Sequence, residues 1–227
     1  MPSSAVPSSE ARVFLLSPAN CGGTRAKQVL SPRATFALAT RLQSDGGVGI
    51  GELFSFVSGL YFRGKLTYAQ RFAAPPDRSN TLVGCGIHVI TPNAGLRPPE
   101  TVVTAAAVRR FAGADVHVDN PSYRRPLERS CRALAGEIGP DCDVVLLGSI
   151  ASAKYVDVLV GIFGDRLRFP IDFVGRGDMS RGGLLLRKAA EGVELDYVPV
   201  SGAVRHGARP PKLPPLRAFR QGLVAKP

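Results

Sequence analysis

Short apolar-rich runs closed by small or polar residues, the first of them continuous over Val13–Leu16 and the last two interrupted by charged residues, constrain this chain more than any other feature. "RVFLL" begins at Arg12, "CGIHVIT" at Cys85, "CDVVLLGS" at Cys142, "RLRFPI" at Arg166 and "ELDYVPV" at Glu194. A continuous apolar run suits a strand buried on both faces, as in a parallel sheet; a strand with one wet face alternates instead. Between the runs lie segments with helical character: "GELFSFVSGLYFRGKLTYAQRFA" (51–73), "TAAAVRRFAG", "SYRRPLERSCRALAGEI" and "MSRGGLLLRKAAEG". After the third run, Ile150, Tyr155, Val158, Leu159 and Ile162 recur close to a helical period. Strands alternating with helices predict an α/β fold: one domain over 12–204, with a largely parallel or mixed sheet of about five strands. At 227 residues and 44% hydrophobic the chain can bury a substantial core. Residues 1–11, rich in Pro and Ser, read as a disordered tail, and 205–227 as a basic Pro-rich one.

Lys and Arg number 29 against 18 acidic residues, a net charge of +11. Such a field favours a polyanion, nucleic acid first among them. Six of the basic residues fall in 205–227, which holds no acid, so the tail reads either as a basic arm or as a wrap over the domain. No apolar run reaches the length of a membrane span, and the N-terminus lacks a secretory h-region. The four cysteines, Cys21, Cys85, Cys131 and Cys142, form no CxxC pair or standard zinc spacing, which predicts reduced thiols and neither metal nor cofactor.

Ligands in open α/β sheets bind outside the carboxyl ends of the strands. The first strand ends in "SPAN" (Ser17 to Asn20), the second in "TPNAGL" (with Asn93), the third in "GSIASAKY" and the fourth in "VGRGDMSRGG". These four clusters are expected to converge on one crevice. In the last, Gly175 and Gly177 permit positive φ and close approach of a ligand, Asp178 or Ser180 can cap the following helix, and Arg176 and Arg181 supply charged donors to an anion. The competing reading is a plain structural turn with a helix cap. Ser149 can cap the next helix, while Ser152 and Lys154 are phosphate-contact candidates. Lys154 and Tyr155, as helical neighbours, would diverge by about 100°. Arg63 and Lys65 are interleaved with Tyr61, Phe62, Tyr68 and Phe72, a pattern suited either to nucleic-acid stacking or to an amphipathic helix with an aromatic core. There is no G-x-S-x-G elbow and no HExxH. Whether the chain is an enzyme is left open by its residues; acid–base work would fall to Asp178, Glu52 or Glu100, with Asp178 the leading candidate.

"VFLLSPAN" resembles the "LISPAK" opening of the YaaA peroxide-stress family. "YFRGKLTYA", "ITPNAGLRPPE", "LLGSIASAKYVDVL" and "GRGDMSRGGLLLR" are similar, in order, to further segments of that family, across 12–187. The matching positions are Ser17, Pro18, Gly95, Leu96, Ser152, Tyr155, Arg176, Gly177, Met179, Ser180 and Arg181. The resemblance implies a cytoplasmic bacterial protein that binds DNA and protects or repairs it under oxidative stress, with a fold similar in outline to uracil-DNA glycosylases. Asn20 departs from the family's lysine, for which Lys27 is the nearest substitute. Two alternatives stand beside this: a glycosylase-like hydrolase acting on a nucleobase or nucleotide, and an interaction protein whose basic tail docks an acidic partner.

Overall fold

A computed structural model describes residues 11–151, 154–205, 207–211 and 213. In chain order the elements are β1 (Arg12–Leu16), α1 (Thr24–Leu30), α2 (Ala37–Gln43), β2 (Val48–Gly49), α3 (Ile50–Val57), α4 (Leu60–Phe72), β3 (Ile87–Ile90), β4 (Leu96–Arg97), β5 (Val102–Val103), α5 (Ala105–Ala112), α6 (Pro121–Ile138), β6 (Asp143–Leu147), α7 (Val156–Phe163), β7 (Leu167–Pro170), α8 (Asp178–Glu191) and β8 (Tyr197–Pro199). The six-stranded mixed sheet has the order β4-β3-β1-β6-β7-β8. Its four inner strands are parallel, and β4 and β8 add antiparallel edges. A separate ladder joins β2 and β5.

All five apolar runs become strands of this one sheet. Val13–Leu16 and Val144–Leu147 are fully buried, so β1 and β6 form its centre. A buried ion pair, Arg168 Nε to Asp143 Oδ1 at 2.9 Å, ties β7 to the start of β6.

The expected single helix over 51–73 is corrected to two. Gly59, at φ 62°, breaks it, and a β-carbon there would meet the Arg25 guanidinium. The break turns α4 away from α3 and lays it along α8. That packing is close because two glycines face each other: a β-carbon on Gly64 would come within 2.6 Å of Gly182 O, and one on Gly182 within 2.8 Å of Leu60 O.

Connections leave the sheet centre in opposite directions. From β1 the chain passes to β3 on one side; from β6, β1's other neighbour, it passes to β7 on the far side. This is a topological switch point, where the carboxyl ends of two adjacent parallel strands open a crevice between diverging loops.

Candidate functional site

At the switch point lies a cavity of roughly 520 Å³. Its walls come from the end of β1 (Ser17 to Asn20), from Ser58, Tyr61 and Lys65, from Ala114 to Val116, from Ser149, Lys154 and Tyr155 after β6, and from Asp178 at the start of α8.

Lys65 is the centre of the site. Tyr61 and Lys65, four residues apart, share one face of α4. The lysine is 1% exposed. Its Nζ donates to Ser17 O at 2.7 Å and to Ser17 Oγ at 2.9 Å. The Nζ also lies 4.5 Å from the centre of the Tyr61 ring and 4.8 Å from that of Phe62. Burial penalises the ammonium form and lowers the Lys65 pKa to about 7, against which the Asp178 charge pulls it up. The amine therefore exchanges its proton near neutrality.

Ser17 is fixed from both sides. Its N–H donates to Leu147 O at 3.2 Å, continuing the β1–β6 ladder past the last strand residue. Across from it, the Tyr155 hydroxyl shares a hydrogen bond with the Ser17 side chain and donates to Ser149 O at 3.1 Å. Gly148 makes this proximity possible: a β-carbon there would stand 2.8 Å from Tyr155 Oη and 2.9 Å from Ser17 Cβ. Asn20, on the cavity wall, accepts the Gly22 N–H at 3.0 Å with Oδ1, which leaves its Nδ2 as a donor. The Tyr61 hydroxyl is buried beside the Arg181 guanidinium. Burial raises its pKa, opposed by the positive charge of Arg181.

The structure brings together only part of the expected constellation. Ser17, Asn20, Lys65, Lys154 and Asp178 line the cavity. Lys27 and Arg63 are exposed on α1 and α4 and do not line it. Asn93 donates to Arg110 O at 3.2 Å, away from the cavity. Ser152 lies outside the described residues. Lys65 and Arg63, read together as surface phosphate contacts, separate: Arg63 faces out and Lys65 is sealed among aromatic rings. Phe62 and Tyr68 are fully buried, so these two belong to the core.

The glycine–arginine stretch divides in the same way. Neither Asp178 nor Ser180 caps α8; Gly177 is its N-cap, at φ −80°, without a side-chain cap bond. Only Gly175 has the positive φ, 72°. Arg181 is turned inward, its guanidinium on Phe173 O at 3.0 and 3.2 Å and over the Phe173 ring. Arg176 Nε donates to Asp172 O at 2.9 Å, and its Nη1 to Ser180 Oγ at 3.3 Å. Arg176, Gly177 and Ser180 border a second depression, shared with Arg187, Arg209 and Leu213.

The end of the third run is also corrected. α7 begins at Val156, with Tyr155 as N-cap, so Ser149 caps no helix. Lys154 and Tyr155 occupy the turn before the helix, and both line the cavity. The 114–116 wall carries no sequence signal beyond a loop. The Tyr61–Lys65 spacing was a signal within reach. Among the described residues no group of three or more His, Cys, Asp or Glu could hold a metal ion, and no helix is long and apolar enough to cross a membrane. Burial holds the Cys21 and Cys131 thiols up to about 12.

Compared with protein-family models, with curated proteins and with solved structures, the chain matches none.

Proposed function

We propose that this protein is a hydrolase whose crevice takes a nucleotide, or one nucleobase-bearing unit of a nucleic-acid strand. The observation that carries this reading is Lys65, a buried amine with a pKa of about 7 in the wall of a cavity at the sheet's switch point. A lysine held so is suited to acid–base work at neutral pH, and perturbed groups of this kind cluster at functional sites. A cavity near 520 Å³ suits one nucleotide-sized ligand and is too small for a duplex. A base in DNA would therefore enter extruded from its stack. The net charge of +11 favours an anionic ligand and supplies the long-range attraction of a nucleic-acid strand. The resemblance to the YaaA family supports the same direction, DNA as the polymer and protection or repair under oxidative stress as the setting.

Titration of nucleoside monophosphates and of single-stranded, duplex and damaged DNA at several salt concentrations tests the reading. The expected result is that log K falls linearly with log salt, and that single-stranded or damaged DNA binds more tightly than intact duplex, because less stacking is lost on extrusion. Asn20→Ala, which removes a neutral donor at the wall, should lower nucleotide affinity by about 1 kcal/mol. Absence of binding to every one of these ligands at low salt would overturn it.

A further inference from the structure

Ser17, whose hydroxyl stands beside Lys65, has no role in the nucleotide reading. Nucleophile and base stand 2.9 Å apart, and the base is also held by the backbone carbonyl of the same serine at 2.7 Å. This is the arrangement by which an otherwise weak serine is activated, with lysine in the place that histidine more often occupies. We propose that Ser17 is a covalent nucleophile activated by Lys65, and that the bond cleaved is an ester or amide carried by the ligand of the crevice. The inference rests on the crevice being an active site and adds the reacting atoms and the substrate's chemical class.

With Lys65 neutral, one of its N–H groups donates to Ser17 O and its lone pair accepts the Ser17 hydroxyl. As Ser17 Oγ bonds to the carbonyl carbon, its proton moves to Lys65 Nζ and the carbonyl oxygen takes up the negative charge. Asn20 lines the same cavity, and its side-chain amide is the donor we assign to that oxyanion. Collapse breaks the bond to the leaving alcohol or amine, which departs with the proton from Lys65. The acyl group remains on Ser17. Water then attacks, gives its proton to Lys65, and the second collapse returns that proton to Ser17 Oγ and releases the carboxylic acid.

Three features of the fold serve this pair. The N–H of Ser17 is anchored on Leu147 O, so the nucleophile continues a central strand and does not ride on a free loop. Burial of the amine favours its neutral form, outweighing the attraction of the Tyr61 and Phe62 ring faces for the ammonium. Gly148 leaves the space in which Ser17 and Tyr155 sit side by side. Tyr155, bonded to Ser149 O, is a positioning residue for that wall.

The test uses two serine-directed probes on the full chain: a fluorophosphonate, which phosphonylates the serine with loss of fluoride and is mapped by peptide mass spectrometry, and p-nitrophenyl acetate, which acylates it and is followed as a burst of nitrophenolate. The expected result is a single adduct on Ser17 from each probe, absent in Ser17→Ala. In the unmodified protein the labelling rate should rise through a midpoint near pH 7, the pKa at which Lys65 loses its proton. Lys65→Met, close in volume, should label at least about a hundredfold more slowly, the usual loss with a general base. No adduct from either probe, an adduct elsewhere, or a rate flat from pH 6 to 9 would overturn the proposal. The pH profile needs no variant, so a Lys65→Met protein that failed to fold would not shield it. Nucleotide recognition fails separately: labelling of Ser17 that a nucleoside monophosphate does not slow would retain the dyad and remove the nucleotide.

Discussion

Lys65 pays for its position in a way that pH reveals. Its ordinary pKa is 10.5, and in the fold it is about 7. Between those values the unfolded chain binds a proton that the folded chain does not, so this group's contribution to stability rises with pH across the window and levels off on either side. Thermal melts from pH 6.5 to 10 should show a rise in Tm that Lys65→Met flattens. His88 acts on the acid side. It is buried on β3 with Nε2 lacking a hydrogen-bond partner among the described residues, and burial lowers its pKa from 6.5 to about 4. Stability from this group is present above pH 6.5 and is lost as pH falls toward 4, because the unfolded chain takes up the proton first. His88→Leu should make melting less sensitive to pH between 6.5 and 4; an unchanged slope would show that carboxylates dominate there. At this scale the sequence was only partly legible. Ser17, Asn20, Lys65, Lys154 and Asp178 carried a signal because they stand at strand ends or among aromatics. The burial of Lys65 did not, because a lysine between two apolar rings reads the same whether the ring face is core or surface.

Among the elements, α4 and α8 decide where Lys65 stands. Their backbones touch at Gly64 and Gly182, where a β-carbon would fall within 2.6 to 2.8 Å of the opposing backbone. Gly64→Ala or Gly182→Ala should cost about 1–3 kcal/mol, the range for overpacking, measurable by denaturant titration. Gly136 on α6 is the control: a β-carbon there meets nothing within 4 Å, so Gly136→Ala should be neutral or stabilise by about 0.4–1 kcal/mol. A displaced α4 should also move Lys65 off Ser17, so Gly64→Ala should slow Ser17 labelling where Gly136→Ala does not. β1, β3 and β6 were readable because a nearly continuous apolar run has few other homes. α1 and α2 were not, being seven residues each with mixed polarity, nor were β2, β4 and β5, two residues each and too short to show any period. The division of α3 from α4 hangs on Gly59, and a glycine inside a helical pattern does not announce its φ.

For the whole molecule, the start of the C-terminal tail lies against the domain. Arg205 reaches Asp157 at 3.7 Å, and Pro210, Pro211 and Leu213 border the depression at the start of α8. A β-carbon on Gly175 would strike the carbonyl of Ala208, so Gly175 gives way to the tail as well as to its own turn. Removing 205–227 should lower stability by about 1–3 kcal/mol, the scale of uncovering one large apolar side chain, and should reduce the net charge from +11 to +5, since six positive charges leave with no acid. A chain lacking these residues should therefore melt earlier and show a shallower salt dependence toward DNA; an unchanged Tm would mean that the contacts are energetically silent. The crevice itself draws its walls from five separate stretches between Ser17 and Asp178, set together only when β1 and β6 are paired. No fragment of the unfolded chain carries a remnant of it. Anything that fits the crevice thus binds the native state alone, and a compound at a hundred times its Kd should add about 2.7 kcal/mol to the folding equilibrium. Heat becomes a chemical reporter: a library of acylated nucleotides, screened by melting temperature, would let the protein name its own ligand.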